Sequence, residues 1–200
     1  LMLLGQPLLG QSGRDTLPPA SQRVRIDNAN SLEYQRRGKN EVVQKLVGDV
    51  ELSQDSIFMY CDSAIIENST RVFALGKEVL IQQGDSLAAF ADTLYYDGTL
   101  KEADLIGNVV LINGDRRLFT QKLHYDLNTK IATYDTPATI TDGETQLSSK
   151  RGYYYTEQDE IYFKDSVVVI NPDFQLRADT LKFNTTEQIA TFLGPTVMRS

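Results

Sequence analysis

A recurring pattern of apolar and polar positions predicts that most of this chain is a β-repeat. In each copy a small residue precedes a polar marker residue, and apolar residues follow two and four positions after the marker, as in the stretch from Ala91 to Tyr96. Successive markers are 32, 30, 29, 29 and 29 residues apart. The markers are Asn30, Asp62, Asp92, Gln121, Lys150 and Asp179. About six units of roughly thirty residues therefore account for most of residues 24–200.

The residue pattern of each unit predicts two antiparallel strands joined by a turn. Clusters of Asn, Asp, Gly and Thr follow the pattern, as in residues 97–99, and such residues close turns through side-chain hydrogen bonds or a positive φ. A second apolar run then returns, and a glycine interrupts it in three units, at Gly76, Gly107 and Gly194. Helical periodicity is nearly absent. The chain should therefore be all-β.

The apolar positions change parity at the marker, which predicts a bend. A straight strand keeps one parity on each face. Here the apolar residues stand at odd distances before the marker and at even distances after it. A bulge or sharp bend in every unit accounts for the switch. Two β faces then enclose an apolar interior, so we predict a repeat-built β-jellyroll or β-solenoid-like fold of about six two-strand units.

Composition narrows the classes of function. The chain has 200 residues, a net charge of −7, one Cys and one His. These counts exclude an intrachain disulfide framework and the usual thiolate or multi-histidine metal sites, so we expect no cofactor and no metal. The negative charge disfavours nucleic acid as a partner, because such binding needs a basic surface. We interpret residues 1–23 as a leader, a flexible arm or a signal-peptide remnant, and residues 24–200 as one domain.

One motif invites a catalytic interpretation. Residues 84–87 spell GDSL, the tetrapeptide of a hydrolase family, whose serine would need a histidine base oriented by an aspartate. The one histidine, His124, falls in a column that should face outward, and Gln121 stands three residues before it, where an aspartate would be needed. Gly84-Asp85 also recurs as Gly114-Asp115 in the next unit, which favours a turn. We therefore predict that the chain is not an enzyme.

Basic residues are concentrated in the third to fifth units. The four candidates for contact with an anionic head group are Arg117, Lys122, Lys150 and Arg151. Lys122 and Arg151 occupy the same column in successive units, so we expect their backbones about 4.8 Å apart. Like charges so close are unfavourable unless an anion or a carboxylate lies between them. The alternatives are a contact with glycolipid phosphates and a solvated face paired with nearby acids.

The repeated stretches resemble the OstA-like / LptA family of lipopolysaccharide-transport proteins. The resemblance rests on GKEVLI at 76–81 with ADTLYYD at 91–97, and on GNVVLI at 107–112 with LHYD at 123–126. Residues 60–64, 149–155 and 192–196 resemble the OstA-like proteins of Bacteroidetes, and the whole resemblance covers roughly residues 24–197. It implies a non-catalytic periplasmic β-jellyroll that holds acyl chains between two β faces and passes lipid toward the outer membrane.

The resemblance also implies partners and a binding interior. The partners would be lipopolysaccharide or a related glycolipid, and other β-jellyroll transport components, or a second copy, joined end to end by strand pairing. Localisation would be the periplasm, with an association with the outer membrane left open. The small residues that stand directly before the markers would leave room for acyl chains. The interior residues expected to contact lipid are Met59, Cys61, Ala89, Ala91, Leu118, Thr120, Leu147, Ser149, Leu176 and Ala178.

A function of another class stays open at this point. Stacked strands expose an edge at each end unless they are capped, and such edges readily add strands from other β proteins. The chain would then be a structural or adhesive β-solenoid without lipid cargo. In that case Leu, Tyr and Phe side chains from neighbouring columns fill the interior.

Overall fold

The computed structural model describes residues 18–37, 41–85, 87–187 and 189–199. In this part of the chain, 16 strands form one antiparallel sheet, preceded by a 3₁₀ turn at Ala20–Gln22. No helix here is long and apolar enough to cross a membrane. The strands are β1 (Arg25–Asn28), β2 (Ser31–Arg37), β3 (Glu41–Gln54), β4 (Ile57–Glu67), β5 (Arg71–Gln83), β6 (Leu87–Asp97), β7 (Glu102–Asn113), β8 (Arg116–Asp126), β9 (Ile131–Tyr134), β10 (Ala138–Thr141), β11 (Gln146–Ser149), β12 (Arg151–Tyr155), β13 (Glu160–Asn171), β14 (Phe174–Asn184), β15 (Ile189–Phe192) and β16 (Thr196–Arg199). The predicted all-β, repeat-built jellyroll is confirmed.

Strand β4 shows how the apolar pattern produces the bend. Met59 and Cys61 are buried before the marker Asp62, and Ala64 and Ile66 are buried after it, while Asp62 itself is exposed. The same switch recurs at the markers Asp92, Gln121, Lys150 and Asp179. Burying both sets of side chains on one side requires the strand to turn through the marker, so the predicted repeated bend is confirmed.

Extra residues on the strand that faces the marker make the bend sharp. Ile106 pairs with Lys122 and Val109 with Thr120, so Gly107 and Asn108 together oppose one marker residue. Both have positive φ, 81° and 46°. Two left-handed residues in succession redirect a strand strongly. The same arrangement recurs at residues 48–49 and 165–166. We call the line through the markers and these bulges the crease.

Two marker aspartates accept hydrogen bonds from residues at the crease. Asp62 Oδ2 accepts the backbone N–H of Lys77 at 3.0 Å. Asp92 Oδ2 instead accepts the side-chain amide of Asn108 at 2.9 Å. Asp62 thus compensates for a backbone group of the interrupted ladder, whereas Asp92 holds the side chain of the bulge residue Asn108.

The crease folds the single sheet into two layers that face each other. At the crease the chain interrupts its strand four times and leaves a short strand on either side: β1 and β2, β9 and β10, β11 and β12, and β15 and β16. The long strands bend through the crease without a break. Layer A comprises β1, β10, β11, β16 and residues 50–54, 57–61, 79–83, 87–91, 109–113, 116–120, 167–171 and 174–178. Layer B comprises β2, β9, β12, β15 and residues 41–47, 63–67, 71–75, 93–97, 102–106, 122–126, 160–164 and 180–184.

The turns at the ends of the layer B segments have the predicted chemistry. Asp97 Oδ1 accepts the N–H of Thr99 at 2.8 Å, and Asp126 Oδ1 accepts the N–H of Asn128 at 2.8 Å. Backbone donors of this kind lower the pKa of Asp126, although partial burial opposes them. Other turns use positive φ, as at Asn68, where φ is 50°. Local side-chain acceptors and left-handed residues therefore set the hairpin register.

Candidate functional site

The interior between layers A and B is the candidate site. All ten residues that we expected to contact lipid are buried, the most exposed, Cys61 and Ala178, at 7%. They line layer A on its inner side. Eight of them belong to a single apolar cluster that extends through both layers, and the other two, Thr120 and Ser149, are buried polar residues. The ten residues are therefore buried between the layers, and their contact with lipid stays a prediction.

The row of layer A beside the crease alternates valine with a small residue. Val50 pairs with Cys61, Val79 with Ala91, and the same pairing continues along the sheet. The remaining pairs are Val109 with Thr120, Ala138 with Ser149 and Val167 with Ala178. The two layers converge at the crease, so small side chains pack well there whether or not a ligand is bound.

Polar contacts close the edge of the fold that lies opposite the crease. Gln54, at the end of its layer A strand, donates from Nε2 to the carbonyl oxygen of Gly98 in a layer B turn at 2.8 Å. Gln83 Nε2 donates to Leu127 O at 3.3 Å, one unit further on. Asn113 in the next unit donates to Thr156 O at 3.1 Å. We call these three side chains and their acceptors the amide clasp.

The buried tyrosines of layer B extend the amide clasp into the interior. Tyr96 Oη donates to Gln54 Oε1 at 2.7 Å, and Asn113 Nδ2 donates to Tyr154 Oη at 2.8 Å. Burial raises the pKa of Tyr96 and of Tyr154, so both stay neutral at physiological pH. These hydroxyls satisfy buried amides while their rings pack in the core.

The sequence patterns that we used did not identify the clasp residues. Gln54, Gln83 and Asn113 do recur at intervals of 29 and 30 residues, the same period as the markers. This recurrence of a side-chain amide is the sequence signal that could have identified them. Its partners lie 43 or 44 residues further along the chain, in another layer, and no local pattern identifies them.

At both ends of the sheet, inner-face residues reach solvent. Leu32 pairs with the fully buried Leu46 but is 56% exposed, because β2 is an edge strand. At the other end Met198 pairs with the buried Leu176 and is 60% exposed. The apolar interior therefore continues to both edge strands, while the amide clasp closes its long side.

The four predicted head-group residues do not form one cluster. Lys122, Lys150 and Arg151 lie at or beside the crease, on its exposed side. Arg117 lies five residues before Lys122 in β8, about 16 Å along the strand, and faces solvent from layer A.

The expected spacing of Lys122 and Arg151 is wrong. Each unit contributes two strands, so β9 lies between β8 and β12 and separates the two residues by two strand spacings. Arg151 is also bound to a carboxylate, because its Nε donates to Asp165 Oδ2. This ion pair raises the pKa of Arg151 and lowers that of Asp165. No carboxylate within the described residues lies within ion-pair distance of Lys122 or Lys150.

The other candidate residues for chemistry have structural surroundings. Burial raises the pKa of the Cys61 thiol to about 11, which makes it an inert core residue. His124 is partly exposed on the outer face of layer B, and its Nδ1 lies 3.0 Å from Asp104 Oδ1. Gly84 and Asp85 form a turn, and Ser86 lies outside the described residues. No group of His, Cys, Asp and Glu side chains that could hold a metal occurs in the described segments.

The comparison with family models agrees with the resemblance seen in the sequence. A family model described as "OstA-like protein" matches residues 21–179. No curated protein matches the chain. Similar solved structures include LptH, the LptA homologous periplasmic component of the conserved lipopolysaccharide transport device from Pseudomonas aeruginosa, at 14% identity over 91% of this chain and 99% of that chain; the TM-score of 0.28 is too low to support an argument. Since the family model spans well over half of the residues, the chain belongs to the OstA-like protein family.

Proposed function

We propose that this chain is a non-catalytic periplasmic module of lipopolysaccharide transport that holds the acyl chains of its cargo between layers A and B. The observation that carries the proposal is the apolar interior, which runs the length of the folded sheet and reaches solvent at both edge strands. Burial of acyl chains there would contribute about 0.8 kcal/mol per methylene group. Membership of the OstA-like family supports the assignment to lipopolysaccharide or a related glycolipid.

The geometry favours movement of lipid along the sheet. The amide clasp and the stacked layer B turns close the side opposite the crease. The edge strands β2 and β16 leave inner-face residues such as Leu32 and Met198 exposed. Cargo would enter at one edge strand and leave at the other, where a second β-jellyroll, of the same or another kind, could continue the sheet by strand pairing.

Site-specific photo-crosslinking tests the location of the lipid. A photoreactive amino acid at Ala91 or Ala178, both buried on the inner side of layer A, should form an adduct with lipopolysaccharide. The same group at Tyr95, which faces outward from layer B, is the matched control and should form none. Mass spectrometry of the adducts and of co-purifying lipids identifies the cargo. Labelling from Tyr95 alone would refute an interior binding site.

Head-group recognition belongs to the same proposal and centres on Lys122 and Lys150. Both ammonium groups are exposed beside the crease and would form charge-assisted hydrogen bonds with phosphates. The double variant Lys122→Glu/Lys150→Glu should retain several-fold less lipopolysaccharide than the wild type in a pull-down. The control Lys45→Glu/Lys130→Glu makes the same change in net charge in layer B and one of its turns, away from the crease and outside the edge strand β2. Equal loss in both variants would leave only a general effect of charge.

A structural or adhesive module is the second candidate, and side-chain packing is the observation that favours it. Large side chains such as Leu94, Tyr125 and Phe163 already fill the space between the layers. These side chains would have to move apart for cargo to enter between the layers. Absence of lipid from the purified protein, together with no adduct at Ala91 or Ala178, would favour this candidate.

A further inference from the structure

The outer face of layer B carries a groove that the proposed function does not use. It has a volume of about 410 Å³, and its apolar floor is formed by Ile65, Phe73 and Tyr95 on three adjacent strands. The ring centroids of Phe73 and Tyr95 are 4.6 Å apart, with the ring planes inclined by 31°. Tyr95 is 48% exposed. A stacked aromatic pair thus presents a large apolar area to solvent.

A row of charged residues borders the aromatic floor and makes the groove acidic. Glu67, Arg71, Asp97 and Glu102 follow one another across β4 to β7. Asp104 pairs with Tyr95 and completes the lining. Arg71 Nε lies 3.5 Å from Asp97 Oδ2. Four carboxylates and one guanidinium group therefore surround the aromatic rings, which leaves an excess of three negative charges.

Two of these carboxylates have no cation beside them. Among the residues that the structure describes, no Lys, Arg or His nitrogen lies within 4.0 Å of Glu67 or Glu102. Asp104, in contrast, is within 3.0 Å of His124 Nδ1. The groove therefore combines exposed aromatic faces with unneutralised carboxylates, a pairing that attracts a cation rather than a neutral apolar ligand.

The same outer face holds such a cation in another unit. Tyr162 and Lys182 are cross-strand neighbours, as Phe73 and Tyr95 are. Lys182 Nζ lies 5.5 Å from the ring centroid of Tyr162 and 2.6 Å from Glu160 Oε1. There the chain itself supplies an ammonium group between a ring and a carboxylate. In the groove the rings and the carboxylates are present, but Arg71 is paired with Asp97 and no cation of the described residues lies over Phe73 or Tyr95.

We propose that this groove binds an arginine side chain from an extended basic segment of a partner protein. A guanidinium group stacks on aromatic rings and forms paired hydrogen bonds with carboxylates, whereas an ammonium group lacks the flat face and the fork geometry. The methylene stem would lie on Ile65, the planar head on Tyr95, and Glu102 would accept its hydrogen bonds. The assignment is independent of lipid transport, because every residue involved faces away from the interior.

Titration of the full chain with a short peptide tests the groove. The probe is acetyl-Gly-Arg-Gly-Arg-Gly-amide, and its control carries citrulline, the neutral isostere, in place of both arginines. Amide shifts in NMR spectra at low salt should saturate around Tyr95 and Glu102 with the arginine peptide and not with the citrulline peptide. Equal binding of the two peptides would overturn the proposal, because recognition would then not depend on charge.

Variants of the groove should change affinity in opposite directions. Tyr95→Ser removes the ring and Glu102→Gln removes an acceptor charge, and each should weaken binding about threefold or more. Arg71→Gln removes the competing cation and should tighten it. Asp115→Asn, in an exposed layer A turn, makes the same charge change as Glu102→Gln and is the matched control. The proposal fails if Asp115→Asn weakens binding as much as Glu102→Gln, or if Arg71→Gln weakens it.

Discussion

Replacing Gly152 by leucine should destabilise the protein by about 3 kcal/mol or more, although three other units carry a buried leucine at this position. The equivalent residues are Leu94, Leu123 and Leu181, all fully buried in layer B. At Gly152 the hydroxyl end of Tyr134 occupies the place of the side chain. A Cβ there would lie only 2.6 Å from the carbonyl oxygen of Tyr162, as well as against the Tyr134 ring. No rotamer of leucine avoids both groups, so the strand would have to move.

Urea denaturation followed by circular dichroism measures this effect. Gly152→Ala should already lower the midpoint strongly, because the overlap begins at Cβ. Gly114→Asn is the matched control: Gly114 has a φ of 59°, which asparagine tolerates, and nothing lies within 4 Å of its Cβ position. A Gly152→Leu variant as stable as Gly114→Asn would contradict the placement of Tyr134 over Gly152.

Replacing Gln54 by leucine should cost about 3 kcal/mol, the second large effect. The amide of Gln54 is buried and bonds three groups: its Nε2 donates to Ser21 O at 2.7 Å and to Gly98 O at 2.8 Å, and its Oε1 accepts from Tyr96 Oη. Leucine would leave the Tyr96 hydroxyl and the two carbonyl oxygens without these partners, and each buried unsatisfied group costs about 1–3 kcal/mol. The first unit of the amide clasp would open.

A double-mutant cycle separates the hydrogen bond from general packing. Tyr96→Phe alone should cost about 1 kcal/mol, since it leaves Gln54 Oε1 without its donor. The double variant Gln54→Leu/Tyr96→Phe should be more stable than the sum of the two single losses predicts, by about 1 kcal/mol. Gln82→Leu, at a more exposed amide in β5, should change stability by less than about 0.5 kcal/mol. Full additivity in the cycle would refute the bond between Gln54 and Tyr96.

The effect at Gly152 could not be foreseen from the repeat. The equivalent positions of other units carry leucine, so the repeat predicts a leucine-sized space at residue 152. The obstruction comes from Tyr134, which belongs to a neighbouring strand and is held there by a 2.9 Å hydrogen bond to Ser149 Oγ. Burial also raises the pKa of Tyr134 to about 12. The glycine at this position therefore depends on packing between two units and not on the pattern of its own unit.

The error over Lys122 and Arg151 has a related cause. Equivalent positions in successive units were taken to lie on adjacent strands, but a unit of about thirty residues contains two passes of the chain, and β9 separates the two residues. The repeat length gives the period of the pattern and not the number of strands between two copies. Pairing partners are non-local, so only the folded sheet shows which residues lie side by side.

The sequence by itself determined the features that each strand encodes locally. The parity switch at Asp62 and at the other markers requires a bend, because a strand alternates its faces with a strict period of two. The turn residues, the inner columns and the all-β repeat follow from similarly short stretches. The tertiary structure alone decided how the layers meet. Gln54 reaches Gly98 on the side opposite the crease, because folding the sheet at the crease brings together residues that lie far apart in the chain. Phe73, Tyr95 and Glu102 meet on the outer face because strand pairing within layer B sets their strands side by side.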